Sequence, residues 1–116
     1  MIDQLRPADI GAWIDAAAPR QPIVLDVREP WEVQTASVTP DGFTLLCMPM
    51  QSIPAQLEEF KQLHGPDQPI ACLCHHGVRS QQVASYLAGH GFTHVVNLQG
   101  GIAAWAQQLD SNVAQY

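Results

Sequence analysis

Four short, nearly all-apolar runs govern the architecture: Ile23-Val24-Leu25-Asp26-Val27, Thr44-Leu45-Leu46-Cys47, Ile70-Ala71-Cys72-Leu73-Cys74 and His94-Val95-Val96-Asn97-Leu98. Runs of this length with almost no polar interruption are the pattern of strands buried on both faces. Helical periodicity fills the intervals. Ile10, Trp13, Ile14 and Ala17 recur at helical spacing over Pro7–Ala17, with Pro7 suited to the first turn. Ile53, Leu57 and Phe60 share one face of a helix from Ser52 to about Leu63, with Ser52 as its cap. Ser80 is placed to cap a third helix with Val83, Ala84, Leu87 and Ala88 inward, and Ile102, Trp105 and Leu109 mark a last one. Strands alternating with helices build parallel βαβ units with right-handed crossovers. The expected fold is therefore an open α/β sheet with helices on both faces. Ligands bind beyond the carboxyl ends of such strands. The polar segments 26–29, 74–79 and 99–101 all leave strands at that end.

A chain of 116 residues with 47% hydrophobic and 14% charged side chains suits one domain, expected over 1–110, with 111–116 as a loose C-terminal tail. Five Lys and Arg against eleven Asp and Glu give a net charge of -6. That balance argues against nucleic acid and anionic membranes as partners. The N-terminus has no basic cap followed by an apolar core, and no apolar run approaches the ~20 residues needed to span a bilayer. The expected location is cytoplasmic. Three cysteines, Cys47, Cys72 and Cys74, do not make a disulfide framework. Cys47 reads as core.

The informative segment is Cys74-His75-His76-Gly77-Val78-Arg79-Ser80. A cysteine ends a strand, a loop with glycine follows, and a helix begins. Such a turn directs successive backbone N–H groups inward, and the helix N-terminus adds its partial positive charge. Arg79 adds a full charge and a donor fork. These groups favour a thiolate at Cys74, lowering a thiol pKa that is ordinarily ~8.5. Gly77 permits a tight turn. Taken without its surroundings, Cys74 would read as an inert strand-end thiol; the helix start, the glycine and the arginine favour a nucleophile. Protein tyrosine phosphatases place one residue more between cysteine and arginine than the four, His75 to Val78, found here. The shorter cradle suits a sulfur atom better than a phosphate.

The elements Leu25-Asp26-Val27-Arg28-Glu29 with Trp31-Glu32, the Cys74–Ser80 loop, Gly91-Phe92, and Asn97-Leu98-Gln99-Gly100-Gly101 with Trp105 resemble, in order and spacing, a single-domain rhodanese. The resemblance implies a three-layer α/β domain around a five-stranded parallel sheet. The fifth strand would lie near Ile2–Leu5, where the pattern alone gives no signal. It also implies a persulfide on Cys74 and neither an organic cofactor nor a metal. One departure is the segment 36–49, where the histidine usual in the family is absent.

On this reading the protein is a thiosulfate sulfurtransferase-type enzyme. The Cys74 thiolate takes sulfane sulfur from thiosulfate or a persulfide donor, one on a partner protein included, and passes it to a thiol or cyanide. The amides of His75, His76, Gly77, Val78, Arg79 and Ser80 form the anion cradle, and Arg79 orients the anionic donor. Asp26 is expected to orient the loop or pair with an arginine, and Arg28 and Glu29 to pair with each other or with solvent. His75 and His76 read as loop side chains whose backbones matter, with hydrogen bonding to substrate or a proton relay as the alternative. A zinc site is disfavoured, because Cys72 lies inside a strand and adjacent histidines point apart. Trp13, Trp31 and Trp105 pack, Trp31 also facing the rim of the site. Gly100-Gly101 permits close backbone approach beneath the loop. The competing functions are a sulfur relay or regulatory binding module with little small-molecule turnover, and an arsenate reductase or phosphatase on the same fold.

Overall fold

The computed structural model describes residues 1–116. The strands are β1 (Asp3–Leu5), β2 (Ile23–Asp26), β3 (Thr44–Cys47), β4 (Ile70–Leu73) and β5 (Val95–Leu98). The helices are α1 (Ile10–Ala17), α2 (Pro30–Thr35), α3 (Ile53–His64), α4 (Val78–Gly89) and α5 (Gly101–Gln108), with 3-10 turns at Pro7–Asp9 and Met50–Ser52. One five-stranded sheet runs in the order β1-β5-β4-β2-β3, and every pairing is parallel.

Period-two alternation divides the core. Ile70, Cys72 and Cys74 join Ile23, Leu25 and Val27 on the face covered by Ile53, Leu57 and Phe60 of α3 and Val83, Ala84 and Leu87 of α4. Ala71, Leu73, Val24 and Leu98 face the other way, against Ile10 of α1 and Ile102, Trp105 and Ala106 of α5. Strands β2 and β4 are buried along their whole length, as apolar runs between two helical layers must be. No helix is long and apolar enough to cross a membrane.

Strand β1 lies at one edge, where the resemblance implies a fifth strand near Ile2–Leu5. Several other local expectations are corrected, and helix α2 is an element the sequence reading does not contain. Ser52 does not cap α3 through its side chain; its hydroxyl donates to the Pro49 carbonyl at 2.7 Å. Helix α4 begins at Val78, two residues before the expected cap at Ser80, because Gly77 takes the cap position in a left-handed conformation (φ 100°). Cys47 sits on the edge strand β3 and is exposed. Trp105 is buried, whereas Trp31 is 61% exposed and touches the site only through an edge contact to Tyr116. Within the tail 111–116, Val113 is buried among α1, α5 and sheet residues, and Tyr116 is hydrogen-bonded at the carboxyl edge of the sheet.

Candidate active site

Cys74 is the first residue beyond β4, and its side chain continues the alternation into the α3–α4 face. The sulfur is almost wholly enclosed, the residue being 1% exposed. Two groups reach it: the Gly77 N–H donates at 3.1 Å, and the Ser80 hydroxyl lies 3.2 Å away. Gly77 makes the first contact possible, since its positive φ folds the chain back over the cysteine.

The loop is fixed from below by α5. Ile102 N–H donates to the Cys74 carbonyl at 2.8 Å, and Ala103 N–H to the His75 carbonyl at 3.2 Å. These are first-turn amides that a helix cannot satisfy internally. In a trans peptide the N–H points opposite to the C=O. Holding these two carbonyls toward α5 therefore turns the N–H groups of His75 and His76 away from it, toward the face on which the Cys74 sulfur lies. The expected close approach at Gly100-Gly101 is realised at Gly101. A Cβ there would collide with the carbonyl oxygens of Cys74 and His75.

A hydrogen-bond chain locks the other side. The Ser80 hydroxyl donates to Asn97 Oδ1 at 2.5 Å. Asn97 Nδ2 donates to the Gly77 carbonyl (3.1 Å) and to Gln4 Oε1 (2.9 Å). Gln4 Nε2 in turn donates to Gln81 Oε1 at 2.6 Å. Ser80, read as a helix cap, thus serves as the link between the cysteine and strand β5.

Asp26 and Arg28 form a pair whose side chains are both fully buried, with Arg28 Nη2 2.7 Å and Nε 2.9 Å from the carboxylate. Arg28 also donates to the carbonyls of Glu32 and Ala36 and to the Tyr116 hydroxyl. Burial acts to lower the Arg28 pKa, but hydrogen bonds to Asp26 and Tyr116 outweigh it and hold the guanidinium above its ordinary value. The architectural expectation for Asp26 thus takes the form of a pair with Arg28. Of the two expectations for Arg28 and Glu29, mutual pairing does not form and solvation applies to Glu29 alone: Arg28 turns inward, and Glu29 stands exposed at the N-terminus of α2.

Arg79 is in the first turn of α4, not in the loop, and it is not free. Both its terminal nitrogens engage Glu32, at 2.6 and 2.8 Å. The Tyr116 hydroxyl donates to the same carboxylate at 2.7 Å. The Arg79 hydrogen bonds, with a smaller one from Tyr116, hold the Glu32 carboxyl down to about 2. Arg79 is raised in return by its bond to Glu32.

His75 and His76 do not point apart: their rings stack at 3.9 Å, and Tyr116 stacks on His75 at 3.9 Å with planes 9° apart. Burial lowers the His75 pKa, the neighbouring His76 adding to the effect. His76 and Val78 are exposed. No three His, Cys, Asp or Glu side chains converge as metal ligands would. Cys72 is buried within β4, and burial raises its thiol pKa strongly.

Glu32, Tyr116, Asn97 and Gln4 had no assigned role in the sequence. Only Glu32 had a local signal. Glu29, Pro30 and Glu32 have the spacing of a helix start with proline at the first position and an acid two residues later, and the Glu29 N–H donates to Glu32 Oε1 at 3.1 Å.

This construction has relatives. The rhodanese-like domain model matches residues 7–108. A sulfurtransferase of Allochromatium vinosum is 35% identical over 85 residues, which cover 73% of this chain and 72% of that protein. The thiosulfate sulfurtransferase GlpE of Vibrio cholerae is 30% identical over 104 residues, covering 90% and 91%. Other relatives are longer, and the chain spans between 26% and 30% of their length. A rhodanese-like domain protein from Staphylococcus aureus has the same fold, with a TM-score of 0.72 over 99% of both chains at 24% identity. With that domain matched over most of its length and relatives of 30–35% identity covering most of both chains, the chain belongs to the rhodanese-like domain family.

Proposed function

We propose that this protein is a sulfurtransferase that carries sulfane sulfur as a persulfide on Cys74. The observation behind the reading is the pairing of a Gly77 N–H 3.1 Å from the sulfur with loop carbonyls tied down to α5. That arrangement supplies preorganised donors for an anionic sulfur without reorganisation during the reaction. The Cys74 thiolate attacks the terminal sulfur of thiosulfate, the S–S bond to the sulfonate sulfur breaks, and sulfite leaves with the bonding pair. An acceptor thiolate or cyanide then attacks the outer sulfur and releases the Cys74 thiolate. This is double displacement through a covalent intermediate. The nearly closed loop admits a single projecting sulfur more readily than a tetrahedral oxyanion, which favours sulfur transfer over phosphatase chemistry. Three free thiols suit a reducing compartment such as the cytoplasm.

The test is intact mass after incubation with excess thiosulfate, beside a Cys74→Ser variant. The expected result is a gain of one sulfur atom by the native protein alone, reversed by cyanide. A gain that persists in Cys74→Ser would refute Cys74 as carrier, and no gain with thiosulfate or with a small-molecule persulfide would refute sulfur transfer.

A further inference from the structure

The reaction proposed above begins with an approach of one anion to another, so the charge around the loop decides which donors react well. That charge is arranged unexpectedly. The chain has four arginines, and each is paired with a carboxylate: Arg6 with Asp9 at 3.1 Å, Arg20 with Asp67 at 2.8 Å, Arg28 with Asp26 at 2.7 Å, and Arg79 with Glu32 at 2.6 Å. The remaining cation, Lys61, donates to the His90 carbonyl at 2.8 Å. That contact lies where α4 ends, at the amino edge of the sheet and away from Cys74. At the carboxyl edge, Arg6, Arg28 and Arg79 stand against Asp9, Asp26, Glu29 and Glu32. The surface beyond carries the rest of a net charge of -6.

Arg79 is the decisive case. It is the one guanidinium in the cysteine segment, and both its terminal nitrogens are held by the Glu32 carboxylate. Glu32 does not swing away easily, because Tyr116 donates to it and the Glu29 backbone N–H holds its other oxygen. Tyr116 is itself fixed by Arg28 and by stacking on His75. A neutralised, clamped arginine attracts a dianion far less than a free one does, because the two opposite charges cancel beyond the immediate contact.

We infer that Glu32, held by Tyr116, is a specificity-determining residue that neutralises Arg79 and tunes the site to sulfane-sulfur donors of low negative charge, with the dianion thiosulfate a poor one. The inference rests on the sulfurtransferase reading. The favoured class is a neutral or zwitterionic persulfide or thiosulfonate. With a neutral persulfide, the Cys74 thiolate takes the terminal SH group and the donor leaves as a thiolate, so charge is conserved. With a thiosulfonate, the leaving group is a sulfinate.

Three probes share a sulfane sulfur on an oxidised sulfur and differ in net charge: thiosulfate (dianion), methanethiosulfonate (monoanion) and 2-aminoethanethiosulfonate (zwitterion). Second-order rates of Cys74 persulfide formation are measured by stopped intact mass. The expected order is zwitterion, monoanion, dianion, from fast to slow. The thiosulfate rate should rise about threefold between ~0.02 M and ~0.3 M ionic strength, and the zwitterion rate should stay flat. Glu32→Gln should raise the thiosulfate-to-methanethiosulfonate rate ratio by roughly tenfold, and Tyr116→Phe should raise it less. The salt series on the native protein needs no variant, so a misfolded Glu32→Gln leaves the inference exposed to refutation. Thiosulfate reacting fastest, with a rate that falls with salt, would overturn the charge inference while leaving the persulfide standing. No loading from any of the three would instead remove the sulfurtransferase reading beneath it.

Discussion

Replacing Asp26 by alanine tests how the site is held. Both side chains of the Asp26–Arg28 pair are excluded from solvent, so the carboxylate cannot be replaced by water without opening the core. Its loss leaves Arg28 with partners for Nη1 and Nη2 in the Glu32 and Ala36 carbonyls and Tyr116, but with Nε unpaired and a buried cation uncompensated. Removing one partner of a buried pair costs about 3–5 kcal/mol. An entropy of unfolding of about 2.1 cal/mol/K per residue gives this chain roughly 0.24 kcal/mol/K, so Tm should fall by about 12–20 °C. Asp9→Ala is the control: it removes a pair whose side chains are 63% and 52% exposed, and such pairs contribute under about 1 kcal/mol. Urea unfolding followed by circular dichroism gives both values. The double change Asp26→Leu with Arg28→Met should recover much of the loss, since apolar replacement of a whole buried pair is often neutral. A loss below about 1 kcal/mol in Asp26→Ala would refute the reasoning, because it would mean that Arg28 finds water or a second carboxylate.

Two further outcomes follow from the same geometry. The bond from Arg79 holds the Glu32 carboxyl down to about 2 in the folded protein against an ordinary 4.5; since the folded pKa is depressed, its contribution to stability is present above about pH 4.5 and is lost as pH falls toward 2, and Glu32→Gln should flatten that part of an acid-unfolding curve. Burial holds His75 below the ordinary imidazole range, beneath the stacked Tyr116 ring; Tyr116→Ala should raise its pKa in an NMR titration, and an unmoved value would show that the tail does not cover His75.

What could be read from the chain, and what could not, divides by the range of the interactions. Strands β2 to β5 were legible because each is a short apolar run; for β2 and β4, buried between helical layers along their whole length, local composition and tertiary environment agree fully, while β3 is a half-exposed edge strand that its composition alone betrayed. Strand β1 was not, since Asp3-Gln4-Leu5 is an edge strand with a mostly polar sequence whose only partner is β5. Helix α2 did leave a local trace in Glu29, Pro30 and Glu32. Ser80 misled because a serine before an apolar stripe has the composition of a cap, while the geometry of the turn required a positive φ that Gly77 supplied. The cysteine loop was legible for a similar reason to the strands: strand end, glycine and helix start are contiguous. The groups that set its electrostatics are not. Arg79 and Glu32 are 47 residues apart, and Tyr116 and Glu32 are 84 apart. From sequence, Arg79 counts as a free charge above the nucleophile; in the fold it is half of a closed pair. Nucleophile and reaction type depend on contiguous residues, whereas preference among donors depends on which charges remain uncompensated once distant segments meet. For that reason a sequence of this kind discloses its chemistry sooner than its substrate.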